Sequence, residues 1–174
     1  MQTHTSGSTM VMPAMSNGMH PNLFSLPART GNMVAVLGDL YTFLVSTEET
    51  NGAFAALEKI IRPENGPPPH IHHGNDETLY VMEGTFSFLV GDQIVKAETG
   101  TYVYVPRGTV HTFQNIGMSA GRLLVTITPS GFEKYFEVIG TPVSSLAEAF
   151  AIQAEPDLEM LMTLAPTYNL EFRM

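Results

Sequence analysis

Between Gly31 and Pro129 the chain never sustains an apolar segment for long, because turn-forming residues keep breaking it. Segments rich in Val, Tyr, Phe, Leu and Thr stand at Met33–Leu37, Leu40–Ser46, Ala53–Ile61, Glu77–Glu83, Thr85–Val90, Gln93–Lys96, Tyr102–Val105, His111–Ile116 and Arg122–Thr128. Between them lie Gly38-Asp39, Asn51-Gly52, Gly66 with Pro67 to Pro69, Gly74-Asn75, Gly91-Asp92, Gly100, Pro106 to Gly108 and Gly117. Many short strands at this spacing predict an antiparallel sandwich or barrel. Phe86 to Val90, then Gly91-Asp92, then Gln93 to Val95 reads as a hairpin about a two-residue turn.

The flanks have a different texture. Residues 1–20 are rich in Thr, Ser, Gly and Met without any period, which predicts a flexible arm over 1–30. His4 and His20, inside it, read as solvated. After Ser130 the pattern turns helical. Gly131–Ile139 is one candidate helix. A second opens at Ser144 as N-cap with Glu148 in an approximate capping box. A third starts at Pro156 and carries Leu158, Leu161, Met162 and Leu164-Ala165 on one apolar stripe. The expected organisation is an N-terminal arm (1–30), a β barrel (31–129) and a helical tail (130–174).

Charge narrows the function. The 174 residues include 8 Lys+Arg against 17 Asp+Glu, a net charge of −9, and no basic cluster. Nucleic acid needs a basic face for its phosphates, and an acidic membrane surface needs the same, so neither is an expected partner. No apolar run approaches the roughly 18 residues of a membrane span. The first basic residue is Arg29, so the basic start of a secretion signal is missing. Cysteine is absent, which removes disulfides, thiolate nucleophiles and zinc–thiolate sites. A cytoplasmic protein is the expectation.

Three of the six histidines fall within Pro69-His70-Ile71-His72-His73. On an extended segment alternate side chains share a face, so His70 and His72 point together while Ile71 and His73 point the other way. Two adjacent imidazoles are a start for a metal site. Gly74-Asn75 allows a turn, after which Glu77 can bring a carboxylate back to the same place. His111, after the turn Pro106-Arg107-Gly108, is a fourth candidate. On residue types alone, two readings stand side by side. One is a metal site; the other is a solvated loop with a hydrogen-bonded core histidine.

The wider spacing adds to this. His70-x-His72 is followed after four residues by Glu77 and after six more by Gly84. Gly100 is followed after five residues by Pro106-x-Gly108, after two by His111 and after three by Asn115. Across residues 31–129 the chain resembles the cupin superfamily, whose two motifs have this form. It departs at one place: the leading glycine of the first motif would fall at Glu64, whereas this chain has Gly66. The resemblance implies an all-β fold, a double-stranded β-helix (cupin, jelly-roll barrel) open at one end, with a C-terminal helical tail. It implies one divalent transition metal, Mn, Fe, Co or Ni, held by His70, His72, Glu77 and His111. Gly84 and Gly100 would be turn glycines and Asn115 structural.

Inward strand positions would line the pocket, with Tyr80, Met82, Phe86, Phe88, Tyr104 and Phe113 as candidates. Their apolar character points to a small aromatic substrate. Arg107 is the one basic residue noted in the motif segments, so phosphate recognition is not favoured. Gly66 to His73, Asp76-Glu77, Tyr80 to Gly84 and the tail from Gly131 to Phe172 are similar to small bacterial single-cupin proteins related to quercetin 2,3-dioxygenase. That resemblance implies opening of a flavonol ring by O2, with Glu77 as catalytic base and the tail near the barrel mouth. Two other readings stay open: another metallo-cupin enzyme, an isomerase or decarboxylase of a small acid, or a non-catalytic ligand-binding cupin. Exposed sheet edges point to a homodimer.

Overall fold

The computed structural model describes residues 25–27, 30–152 and 157–173. Most of the expected arm, with His4 and His20, lies outside the described residues, as does Pro156. In chain order the strands are β1 (Met33–Val36), β2 (Asp39–Val45), β3 (Ala55–Ile61), β4 (His70–His72), β5 (Asp76–Glu83), β6 (Thr85–Val90), β7 (Gln93–Glu98), β8 (Tyr102–Val105), β9 (His111–Asn115), β10 (Gly121–Thr128), β11 (Thr141–Pro142) and β12 (Leu170–Phe172). The helices are α1 (Thr47–Thr50), α2 (Glu133–Ile139), α3 (Leu146–Ala151) and α4 (Leu158–Leu164), followed by a 3₁₀ turn at Ala165–Tyr168.

The strands form two antiparallel sheets, ordered β11-β1-β2-β3-β10-β5-β8 and β12-β4-β9-β6-β7. The fold is an all-β jelly-roll sandwich with minor helices. Alternation sets its interior. Leu57 and Ile61 on β3, Leu79 and Val81 on β5, Phe86 and Phe88 on β6, and Leu123, Val125 and Ile127 on β10 are almost wholly buried. Each such side chain contributes about 1.5–3 kcal/mol by leaving water. Phe86, Phe88 and Phe113 pack ring to ring at 5.7–6.1 Å between centroids.

Among the described residues, α1, β4, β11 and β12 go beyond the expected elements. The three strands contain two or three residues each, too few to show a period. β12 pairs with β4 in the register Leu170↔His72 and Phe172↔His70, so the chain's last strand flanks the histidine strand. The α3 cap is Ser145, whose hydroxyl accepts from the Glu148 backbone N–H at 3.1 Å. Ser144 instead donates to the Glu148 carboxylate from its N–H and its hydroxyl, both at 2.7 Å.

The departure at the first motif has a structural account. Glu64 adopts φ +63°, the left-handed conformation that glycine takes without strain. Gly66 answers a different need. A Cβ there would collide with the carbonyl oxygen of Phe113, two residues beyond His111. Gly66→Ala is therefore expected to cost about 1–3 kcal/mol, as overpacking does. Urea unfolding of the variant checks this; a midpoint equal to wild type contradicts the close approach.

Candidate metal centre

Inward positions of three strands bring polar residues together at one place. β4 carries His70 and His72, and β9 carries His111, directly across from His70 in the strand register. Glu77 comes from β5, in the other sheet. The group thus bridges the gap between the sheets. Gly108, in the turn before β9, donates its N–H to the His72 carbonyl at 2.8 Å. Arg107 in the same turn donates to Asp76 at 2.9–3.0 Å, beside Glu77. These contacts tie the two motifs to each other.

All four side chains are buried, and one ligand atom from each lies within 4.8 Å of the others. The imidazole centroids are 4.2–5.2 Å apart. Nδ1 of His70 lies 2.9 Å from the Pro68 carbonyl and Nδ1 of His111 lies 3.0 Å from the Thr109 carbonyl. A carbonyl only accepts, so each Nδ1 carries a proton, and Nε2 is the ring atom that each histidine turns to the centre. Glu77 Oε2 is 3.0 Å from His111 Nε2 and 3.7 Å from His72 Nε2. So short an approach of a ring nitrogen to a carboxylate oxygen needs a proton or a metal cation between them. His72 Nδ1 is buried with no hydrogen-bond partner.

Electrostatics agree with that geometry. Burial, helped by the neighbouring His111 and His72, pushes His70 down to about 3. Burial likewise pushes His72 down to about 4 against the attraction of Glu77. Both rings are therefore neutral donors at pH 7. Burial works to raise the Glu77 carboxyl, but the His111 contact and the charges around it, Lys59 first, outweigh burial and hold it below the usual carboxylate range. Neutral imidazoles with one carboxylate, in a chain without cysteine, fit a divalent transition metal.

A cavity opens over Glu77, His70 and His72. Its walls include Tyr41, Phe113 and three side chains of the tail, Phe132, Tyr135 and Phe136. Phe132 stands edge-on to His72, 4.0 Å between centroids. Of the expected pocket residues only Phe113 lines this cavity. Phe86 and Phe88 are core residues that do not line it. Contrary to expectation, Tyr80, Met82 and Tyr104 do not line it: they face outward and are exposed. The reason is strand parity. With Glu77, Leu79 and Val81 inward, Tyr80 and Met82 must point outward, and Tyr104 pairs with outward Thr78. His73 also stands outside the group, its Nε2 2.8 Å from Glu171 Oε2.

One residue beside the site was not expected there. Lys59, 4% exposed, places Nζ 3.8 Å from Glu77 Oε1. Its signal was in the sequence: Ala55, Leu57, Lys59 and Ile61 alternate, and a lysine in an otherwise apolar inward row has to find an anion. The cavity aromatics of α2 had no such signal, because only the packing of the tail brings them here.

The Cupin domain family signature matches residues 58–127. The chain is 23% identical over 124 residues to a quercetin 2,3-dioxygenase of Bacillus subtilis (strain 168), covering 68% of this chain and 35% of that protein. It is 29% identical over 131 residues to a quercetin 2,3-dioxygenase of Aspergillus japonicus, covering 71% and 37%. The chain thus spans about a third of the length of these curated relatives. Among solved structures, KdgF from Halomonas sp. matches with a TM-score of 0.57 at 15% identity, covering 65% of this chain and 98% of that one. At that identity the likeness concerns the fold.

The depressed histidines make stability depend on pH. The ordinary value of 6.5 applies in the unfolded chain, against about 3 for His70 and about 4 for His72 in the fold. Below pH 6.5 the unfolded chain binds protons that the folded one refuses, so stability is present above that pH and is lost as pH falls. Metal-free protein is expected to lose roughly 2–4 kcal/mol between about pH 7 and pH 5. Urea unfolding at both values measures this; equal stability contradicts buried neutral imidazoles.

Proposed function

We propose, for a chain that belongs to the cupin superfamily and resembles its quercetin 2,3-dioxygenases at low identity, a metal-dependent dioxygenase that opens a flavonol-like aromatic substrate with O2. The observation that carries this reading is a buried His70, His72, Glu77 and His111 donor set beneath an aromatic-walled cavity. A divalent ion held by these four side chains would supply Lewis acidity and, if redox-active, a path for electrons to dioxygen.

The chain's own residues do the rest. Glu77 turns Oε2 toward His111 and His72 and Oε1 toward Lys59. It accepts the proton of an acidic substrate hydroxyl once the two lie within hydrogen-bond reach, about 3 Å. Tyr41, Phe113, Phe132 and Phe136 offer flat apolar surfaces to a planar substrate and exclude water from it. The Nδ1 bonds of His70 and His111 fix the ring orientations.

The barrel (31–129) thus supplies the ligands, and the tail (130–174) closes the cavity. A second reading, a metallo-cupin acting on a small acid, is favoured by one observation, the Lys59 ammonium beside the site. We also propose a homodimer through the edge strand β8, where Tyr102 and Tyr104 are exposed beside Tyr80. Among the described residues no helix is long and apolar enough to cross a membrane. A cysteine-free sequence suits the cytoplasm.

Oxygen uptake with quercetin, after loading with Mn, Fe, Co and Ni separately, tests the reading; no uptake with any of them overturns it. Glu77→Gln keeps the size of the side chain and one acceptor but loses basicity. It is expected to retain metal through the three histidines and to lose turnover by about a hundredfold or more. Glu77→Asp should lose less. Wild-type turnover in Glu77→Gln at equal metal content contradicts the base role.

A further inference from the structure

Lys59 is an unusual group to find in this cavity. It belongs to neither histidine motif, and Leu57 and Ile61 on the same row of β3 are apolar. Its ammonium lies over the rings of Tyr41 at 4.7 Å and Phe136 at 4.6 Å, which hold it by cation–π attraction. Burial lowers its affinity for a proton, while Glu77 and Asp39 oppose that.

The anions available to it are few. Glu77 Oε1 is 3.8 Å away, too far for a direct hydrogen bond, and the other oxygen of that carboxylate faces the imidazoles. Asp39 is buried, and its Oδ1 accepts from the Arg62 backbone N–H at 2.9 Å. With a divalent ion among the histidines, Glu77 is shared between two cations. The cavity then has an excess of positive charge inside aromatic walls, where an unpaired charge is costly.

We infer that Lys59 is the anion-recognition group of the cavity, and that the site selects a ligand whose inner end carries one negative charge on oxygen, on a flat apolar body. This rests on the proposed metal site and narrows its substrate class: an enolate or a carboxylate is held through Lys59, whereas a neutral isostere binds more weakly and gains nothing from it. Lys59 forms one side of the subsite, and Tyr41 and Phe136 align its ammonium. The oxyanion shields the excess charge, while the apolar body meets Phe113 and Phe132.

The test is ligand binding to cobalt-loaded protein, followed by the visible absorption of the metal. The probes are 3-hydroxyflavone for the enolate source, benzoate for the carboxylate source and benzamide as the neutral isostere of benzoate. Lys59→Met, which keeps the length of the side chain among the rings, is expected to weaken at least one oxyanion probe tenfold or more. Benzamide should be unaffected, and Lys59→Arg should retain most of the affinity. Loss confined to 3-hydroxyflavone assigns the enolate source, and loss confined to benzoate assigns the carboxylate source. Equal affinity of all probes for wild type and Lys59→Met at equal cobalt content overturns the inference, as does an equal loss for benzamide. Lys59→Gln repeats the comparison if the methionine variant fails to load cobalt. Because the readout is binding, a protein that never consumes O2 with quercetin refutes the dioxygenase reading and leaves this one standing.

Discussion

Everything in this molecule is arranged around a carboxylate that has been taken out of water. Glu77 is 3% exposed, on a strand whose other inward residues are Leu79 and Val81. An ionised group there is tolerable only if cations and donors surround it. The facing sheet supplies three imidazoles, and β3 supplies Lys59. The pairing of β4 with β9, the Gly108 bond to the His72 carbonyl and the flanking β12 all fix where those groups stand. Strand register is thus the means by which two distant motifs become one site.

Much of this was legible in the chain itself. The His70/His72 pair followed from strand alternation, and the spacing to Glu77 and His111 carried the resemblance to a known pair of motifs. An antiparallel sandwich or barrel followed from short apolar segments between turn residues, and the jelly-roll from the resemblance. What the sequence hid was parity and packing. Tyr80, Met82 and Tyr104 suit a pocket by residue type, but the inward position of Glu77 already sends Tyr80 and Met82 outward. Lys59 has no motif to mark it, because its strand lies outside the two histidine motifs. Phe132 and Phe136 reach the site only when α2 folds over the sandwich, a tertiary event with no local period.

The site and the tail form one chemical unit. A metal pocket alone would be wet and unselective. Phe132 against His72 and Phe136 against Lys59 bring apolar surface to the donor set, lowering the local dielectric and strengthening each charge interaction inside. The same surroundings keep His70 and His72 neutral, the state in which imidazole binds a metal. The barrel sets the ligand geometry, and the tail sets the medium in which it acts.

The central claim is that the four side chains hold one divalent ion. Elemental analysis with X-ray absorption spectroscopy of the manganese-, iron-, cobalt- and nickel-loaded protein tests it most directly. The account predicts about one ion per chain in a nitrogen and oxygen shell with imidazole back-scattering. It also predicts that His111→Ala, which removes one donor and leaves the fold, lowers occupancy and changes that shell. Full occupancy with an unchanged spectrum in His111→Ala, or no stoichiometric metal in the wild type, would contradict it.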